Sequence, residues 1–313
     1  MHEGWRYIIG FLIIFIFGWQ LIGAIPLSVV AFLKADNLLE FQDAGLENFM
    51  PLFESKSNLY LLLVLLTFVG GLVALIPVVK YLHNQRFKSL VTSRQKIDWN
   101  RVFFAFGMWA AFSIITTFVG YYVAPEDLQW DFNLMPFLGL FAITMLLMPL
   151  QTSFEELLFR GYLMQGIGVA AKNKATPLII TSLVFGLMHA LNPEIEKLGY
   201  SVLSVYIGLG FFLGIITLMD DGMELALGFH ASNNMIIALL MTSDWTALQT
   251  NSVFLDVSEP SAMAQIVPTF ITLPILAYIF AKKYKWKGWK GKLFSKVYPL
   301  TLDEENPQDL TLG

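Results

Sequence analysis

Six polar residues stand in otherwise apolar runs: Glu155, Glu156 and Arg160 in S-F-E-E-L-L-F-R, His189 in F-G-L-M-H, and His230 with Asn234 in H-A-S-N-N. An ionisable side chain in hydrocarbon costs roughly 2.5–3.5 kcal/mol even on the lenient insertion scale, so such groups are rare without a use. On a helix, side chains four apart share a face while neighbours diverge by about 100°. Glu156 and Arg160 can therefore pair, leaving Glu155 on another face, free to titrate. His230 and Asn234 share a face by the same spacing.

These types suit hydrolysis. A buried carboxylate flanked by histidine can take a proton from water as a general base, which makes Glu155 the base and His189 its partner in positioning the water. Peptide hydrolysis also needs donors aimed at the developing oxyanion, and an imidazole with an amide, His230 and Asn234, would supply them. A zinc variant uses the same atoms: Glu155, His189 and His230 as three ligands, with a fourth position open for water. No H-E-x-x-H run is present to require it. Glu156 with Arg160 is also readable as a purely structural pair.

The elements that must hold these residues are membrane helices. The chain has 313 residues, 56% hydrophobic and 14% charged, against about 25% charged in a soluble domain. Several apolar runs approach the roughly 20 residues of a helical crossing, and none alternates like an outer-membrane strand. The fold class is all-α, a polytopic bundle of about eight transmembrane helices. Expected spans are Tyr7 to Leu33, Leu59 to Leu82, Val102 to Val123, Pro136 to about Phe154, Pro177 to Leu191, Tyr200 to Met219, Met223 to Met241 and Met263 to Ala281. Residues 1–134 then hold three spans, 135–241 the catalytic core of four, and 242–313 the last span and tail. The absence of cysteine excludes disulfides and thiolate chemistry.

Loop charges alternate. Arg86, Lys88, Arg94, Lys96 and Arg101, and the lysines from Lys282 to Lys296, are expected in the cytoplasm. The acidic loops with Asp36, Glu40, Asp43 and Glu47, with Glu126, Asp127 and Asp131, and with Asp244 and Asp256 are expected outside, giving both termini inside. Tyr284, Trp286 and Trp289 among the tail lysines read as an interfacial anchor on anionic lipid, followed from about Thr301 by a disordered end with Asp303, Glu304, Glu305 and Pro307. Gly210 and Gly214 form a G-x-x-x-G suited to close helix packing. Pro77, Pro149, Pro268 and Pro274 are expected to kink helices, Pro149 most consequentially because it precedes Glu155. Glu155 and His189 each lie about 17 residues from Lys172, so they are expected to face each other at similar depth across a hairpin.

Together E-E-L-L-F-R, Phe185 to His189 and His230 to Asn234 resemble the E-E-x-x-x-R, F-x-x-x-H and H-x-x-x-N motifs of the CPBP family, which groups Ras-converting CAAX prenyl endopeptidases with bacterial Abi-type proteins linked to bacteriocin processing and self-immunity. The resemblance covers Pro136 to Met241. It implies an intramembrane endopeptidase with Glu155 catalytic, His189 its partner, His230 and Asn234 at the oxyanion, and Glu156 and Arg160 supporting. The expected partners are a membrane protein or peptide substrate and the lipid bilayer, with no nucleic acid, and the expected location is a bacterial inner membrane. The competing readings are an immunity or binding protein using the same cavity without turnover, and a proton-coupled transporter, whose inverted repeat is not seen.

Overall fold

A chain this apolar must satisfy its backbone N–H and C=O groups internally, and helices do so within one segment. The computed structural model describes residues 3–297 and is an all-α membrane bundle. Its helices are α1 (Gly4–Lys34), α2 (Leu38–Leu46), α3 (Asn58–Leu82), α4 (Lys88–Val91), α5 (Trp99–Val123), α6 (Leu134–Ala171), α7 (Ala175–Leu187), α8 (Pro193–Leu198), α9 (Tyr200–Asp220), α10 (Glu224–Leu240), α11 (Ala262–Lys283) and α12 (Trp289–Phe294). The acidic tail with Asp303, Glu304, Glu305 and Pro307, expected to be disordered, lies outside the described residues.

Among the described residues six helices, α1, α3, α5, α6, α9 and α11, are long and apolar enough to cross a membrane by length and composition. Two of the eight expected crossings fall short of that. The run Pro177 to Leu191 becomes α7, 13 residues that end at Leu187, because the chain turns through His189 to Asn192 ahead of Pro193, and a residue before proline is driven out of helical backbone. The run Met223 to Met241 becomes α10, 17 residues that carry Glu224, His230, Asn233 and Asn234. In the other direction, the span expected to stop near Phe154 runs on to Ala171.

Pro149 is absorbed within a continuous helix from Leu134 to Glu156. The irregularity expected there comes later, as a wide π-type turn over Leu157–Leu163. Such i→i+5 turns occur often at functional sites, and this one begins at the residue after Glu156.

Two close helix contacts fix the core around that turn. A Cβ on Gly210 of α9 would sit 2.7 Å from the Ser182 carbonyl oxygen of α7, and a Cβ on Gly228 of α10 would run into the Val102 carbonyl of α5. Glycine lets the backbones approach at both places, as the G-x-x-x-G spacing of Gly210 and Gly214 suggests. α10 lies against both α5 and α6, and α9 against α7 and α11.

Charge separates to the two ends of the bundle. At the basic end Arg94 pairs with Asp220, Trp286 donates to Asp220, and Asn173 bridges to Lys296. The other end holds a three-stranded sheet, β1 (Leu128–Trp130), β2 (Met241–Thr242) and β3 (Phe254–Asp256), in the order β1-β3-β2, antiparallel then parallel. Lys56 pairs with Asp131 there. Trp286, expected at headgroup level, instead turns its indole N–H inward to Asp220 Oδ1 at 3.0 Å, because a buried carboxylate there needs a donor. Trp289 stays exposed.

Candidate active site

The long helix α6 brings Gln151, Glu155, Glu156 and Arg160 to the middle of the bundle, and α10 brings His230. Arg160 Nη1 donates to Glu156 Oε1 at 2.9 Å, the i,i+4 pair expected from spacing, with both side chains fully buried. His230 Nδ1 donates to the same Glu156 oxygen at 2.7 Å, while its Nε2 stands 3.4 Å from Glu155 Oε2. One imidazole thus bridges two adjacent carboxylates that the helix turns apart. Their exposure differs in the way that separates a reactive group from a supporting one: 13% of the Glu155 side chain is accessible and none of Glu156.

Arg160 is held on three further sides. Its Nη2 donates to the Gly210 carbonyl at 3.2 Å, and its guanidinium lies 4.4 Å from the centre of the Phe185 ring and 5.8 Å from that of Phe159. α7 meets the site through Phe185 of F-G-L-M-H, which lies between the two histidines: its ring centre is 5.2 Å from His189 and 6.0 Å from His230. Buried Glu156 Oε2, Arg160 Nε and Ser232 Oγ have no hydrogen-bond partner among the described residues.

Two proton arrangements would balance the charges. With Nδ1–H donated to Glu156, one further proton can be placed on Glu155 or on His230 Nε2. Placed on Glu155 it gives a neutral acid and a neutral imidazole; placed on Nε2 it gives a carboxylate and an imidazolium. Glu156 and Arg160 cancel in both, so moving the proton leaves the cluster's net charge unchanged. An acid and a base poised to exchange one proton are what water activation requires.

His189 and Asn234 stand one step away. His189 lies past the end of α7, where no helix fixes its side chain. Its Nδ1–H donates to the Phe185 carbonyl at 2.8 Å, which sets the tautomer and leaves Nε2 outward, and its ring stacks on Tyr206 at 4.2 Å. Among the described residues it makes no hydrogen bond or ion pair with Glu155, whose partner across the bundle is His230 instead. Asn234 is held by Gln151, one helical turn before Glu155 on α6: its Nδ2 donates to Gln151 Oε1 at 3.2 Å. Gln151, Asn233, Trp109 and Tyr206 escaped the sequence reading. Gln151 sits four residues before Glu155 and could have been found by that spacing; Trp109 and Tyr206 carry no such signal.

A zinc site does not fit this arrangement. Among the described residues no group of three His, Asp or Glu side chains could hold a metal ion, and both nitrogens of His230 already face carboxylates.

Residues 132–236, which enclose all six motif residues, match the family described as type II CAAX prenyl endopeptidase Rce1-like. The uncharacterized protein YyaK of Bacillus subtilis (strain 168) is 31% identical over 165 residues, covering 52% of this chain and 55% of YyaK. The chain thus spans about half the length of that curated relative. No solved structure matches it.

Proposed function

We propose, from the premise that residues 132–236 carry a domain like those of the Rce1-like type II CAAX prenyl endopeptidases, that this membrane protein is an endopeptidase which cleaves a membrane-associated or lipidated protein or peptide with a water activated by Glu155. The observation that carries the reading is the His230 bridge between Glu155 and the fully buried Glu156–Arg160 pair.

In this mechanism the resting proton lies on His230, so that Glu155 is a carboxylate. Glu155 takes a proton from water as the water oxygen attacks the scissile carbonyl carbon. The oxyanion that forms accepts from His230 Nε2–H and from Asn234 Nδ2–H, donors of the kind whose single removal typically costs 10²- to 10³-fold. The proton held by Glu155 then passes to the leaving amine as the C–N bond breaks. Glu156 holds the imidazolium by charge and orients it through Nδ1, and Arg160 keeps Glu156 ionised because a guanidinium does not release its proton. His189, with Nε2 directed away from its own backbone bond, orients the water or the substrate carbonyl. The segregation of charge between the bundle's ends supports a basic end in the cytoplasm and both termini inside, by the positive-inside rule, in a bacterial inner membrane.

Peptide termini in membranes from cells carrying wild type or Glu155→Ala, compared by mass spectrometry, test this. New termini that vanish in the variant are the expected result and identify the substrate. Identical termini would favour a protein that binds its partner without turnover. Metal analysis of active, detergent-purified protein is expected to find zinc well below one per chain; one zinc per chain in active protein would overturn the metal-free scheme.

A further inference from the structure

A chain of hydrogen bonds crosses three helices beside the base. Trp109 Nε1 on α5 donates to Asn233 Oδ1 at 3.1 Å; Asn233 Nδ2 donates to Asn234 Oδ1 at 3.1 Å; Asn234 Nδ2 donates to Gln151 Oε1 at 3.2 Å. Gln151 stands one helical turn before Glu155 on α6.

An amide side chain can turn its oxygen and nitrogen either way, and the network around it decides which. Here one end is one-handed, because an indole N–H only donates. Trp109 forces Asn233 to present its oxygen, so Asn233 turns its NH₂ to Asn234 and Asn234 turns its NH₂ to Gln151. Reversing the order would set the half-buried indole N–H against an NH₂ group.

We propose that Trp109, Asn233 and Gln151 form a one-way relay that positions the Asn234 carboxamide, leaving its second N–H for the oxyanion. The inference rests on the hydrolytic reading above. With the relay reversed, Asn234 would offer a carbonyl lone pair to a negative oxygen, and the same residues would repel the transition state. The positioning residue that sets the direction is Trp109, which lies outside the matched residues 132–236. Gly228 lets it reach, since the close approach of α10 to α5 at Val102 places Trp109 beside Asn233, with its ring 4.7 Å from Phe229.

Trp109→Phe keeps the ring and removes the donor. In full-length protein in membranes, Glu155-dependent termini should accumulate about tenfold more slowly per folded molecule, less than the loss of an oxyanion donor outright. The double variant Trp109→Phe/Asn234→Ala should be no slower than Asn234→Ala alone, since Trp109 acts through Asn234. A wild-type rate for Trp109→Phe, or a loss that multiplies with that of Asn234→Ala, overturns the relay while leaving the hydrolytic reading intact. If wild type itself yields no Glu155-dependent termini, that reading fails first. The relay is then judged on ¹⁵N-tryptophan-labelled protein in detergent, with the Trp109 indole signal identified by its absence in Trp109→Phe. Slow indole exchange in wild type and fast exchange in Asn233→Leu are expected; equal rates overturn it.

Discussion

Two buried charge clusters, one around His230 and one at the basic end, have similar inventories and opposite states of completion. Each contains two carboxylates held among helices. At the basic end every carboxylate oxygen is paired: Asp220 Oδ1 accepts from Arg101 at 2.5 Å and Trp286 at 3.0 Å, Asp220 Oδ2 from Arg94 at 3.0 Å, Glu224 Oε2 from Arg94 at 2.9 Å and Glu224 Oε1 from the Asp98 N–H at 3.3 Å. At the other, Glu156 Oε2 and Arg160 Nε are unpartnered and the Glu155–His230 approach is long at 3.4 Å. Fully satisfied networks rigidify a structure, whereas an unsatisfied buried group calls for another explanation. The basic-end cluster ties the segment between α3 and α5 to the start of α10. The His230 cluster keeps hydrogen-bonding capacity unused.

The largest effect should come from breaking the incomplete cluster at its exposed member. Glu155→Gln keeps shape and removes basicity, so turnover should fall by about 10²- to 10⁴-fold with the folded amount nearly unchanged. Glu155-dependent termini appearing at the wild-type rate would mean another residue is the base.

Next, Arg160→Ala and Arg94→Ala set the two clusters against each other. Removing one partner of a buried pair typically costs about 3–5 kcal/mol, because the other charge is stranded. Arg160→Ala should approach that and lower both the folded amount and the activity of what remains, since His230 loses its oriented Glu156. Arg94 keeps a quarter of its side chain accessible, so Arg94→Ala should cost less, and the surviving molecules should turn over at the wild-type rate. Equal activity losses per folded molecule in the two variants would dissolve the distinction between scaffold and site.

The two clusters were not equally legible in sequence. Glu156 with Arg160 was readable because a helix carries its own ruler, and the i,i+4 spacing survives the wide turn that follows. The apolar length of α1, α3, α5, α9 and α11 was readable for the same reason. What sequence could not supply was the relation between helices: that His230, nine residues from Asp221, meets both carboxylates while His189 meets neither. Nor does any local pattern join Trp109 to Asn233, or Arg94 to Asp220, pairs more than a hundred residues apart brought together only by packing. The end of α7 is hidden in the sequence because its apolar run continues through a turn that only Pro193 signals.

A further carboxylate, half-buried, sharpens the comparison with the smallest effect. Glu194 of α8 resembles the incomplete cluster in having one buried oxygen, Oε2, without a partner among the described residues, while Oε1 accepts from the Ala247 N–H at 3.0 Å and no ion pair among the described residues reaches it. Burial pushes its carboxyl above its ordinary value of 4.5, against the opposing effect of that N–H. A carboxyl that binds its proton more tightly folded than unfolded favours folding most below the unfolded value, and that contribution is lost as pH rises from about 4.5 through the folded value. Glu194→Gln keeps an oxygen for Ala247 and cannot ionise. Its midpoint of thermal unfolding should exceed wild type by about 2 °C at pH 7 and match it at pH 4, with turnover unaltered. A midpoint lower than wild type at pH 7 would mean that the Glu194 charge is matched by a group the isolated chain does not show, and that the incomplete state of a carboxylate is then no sign of a site.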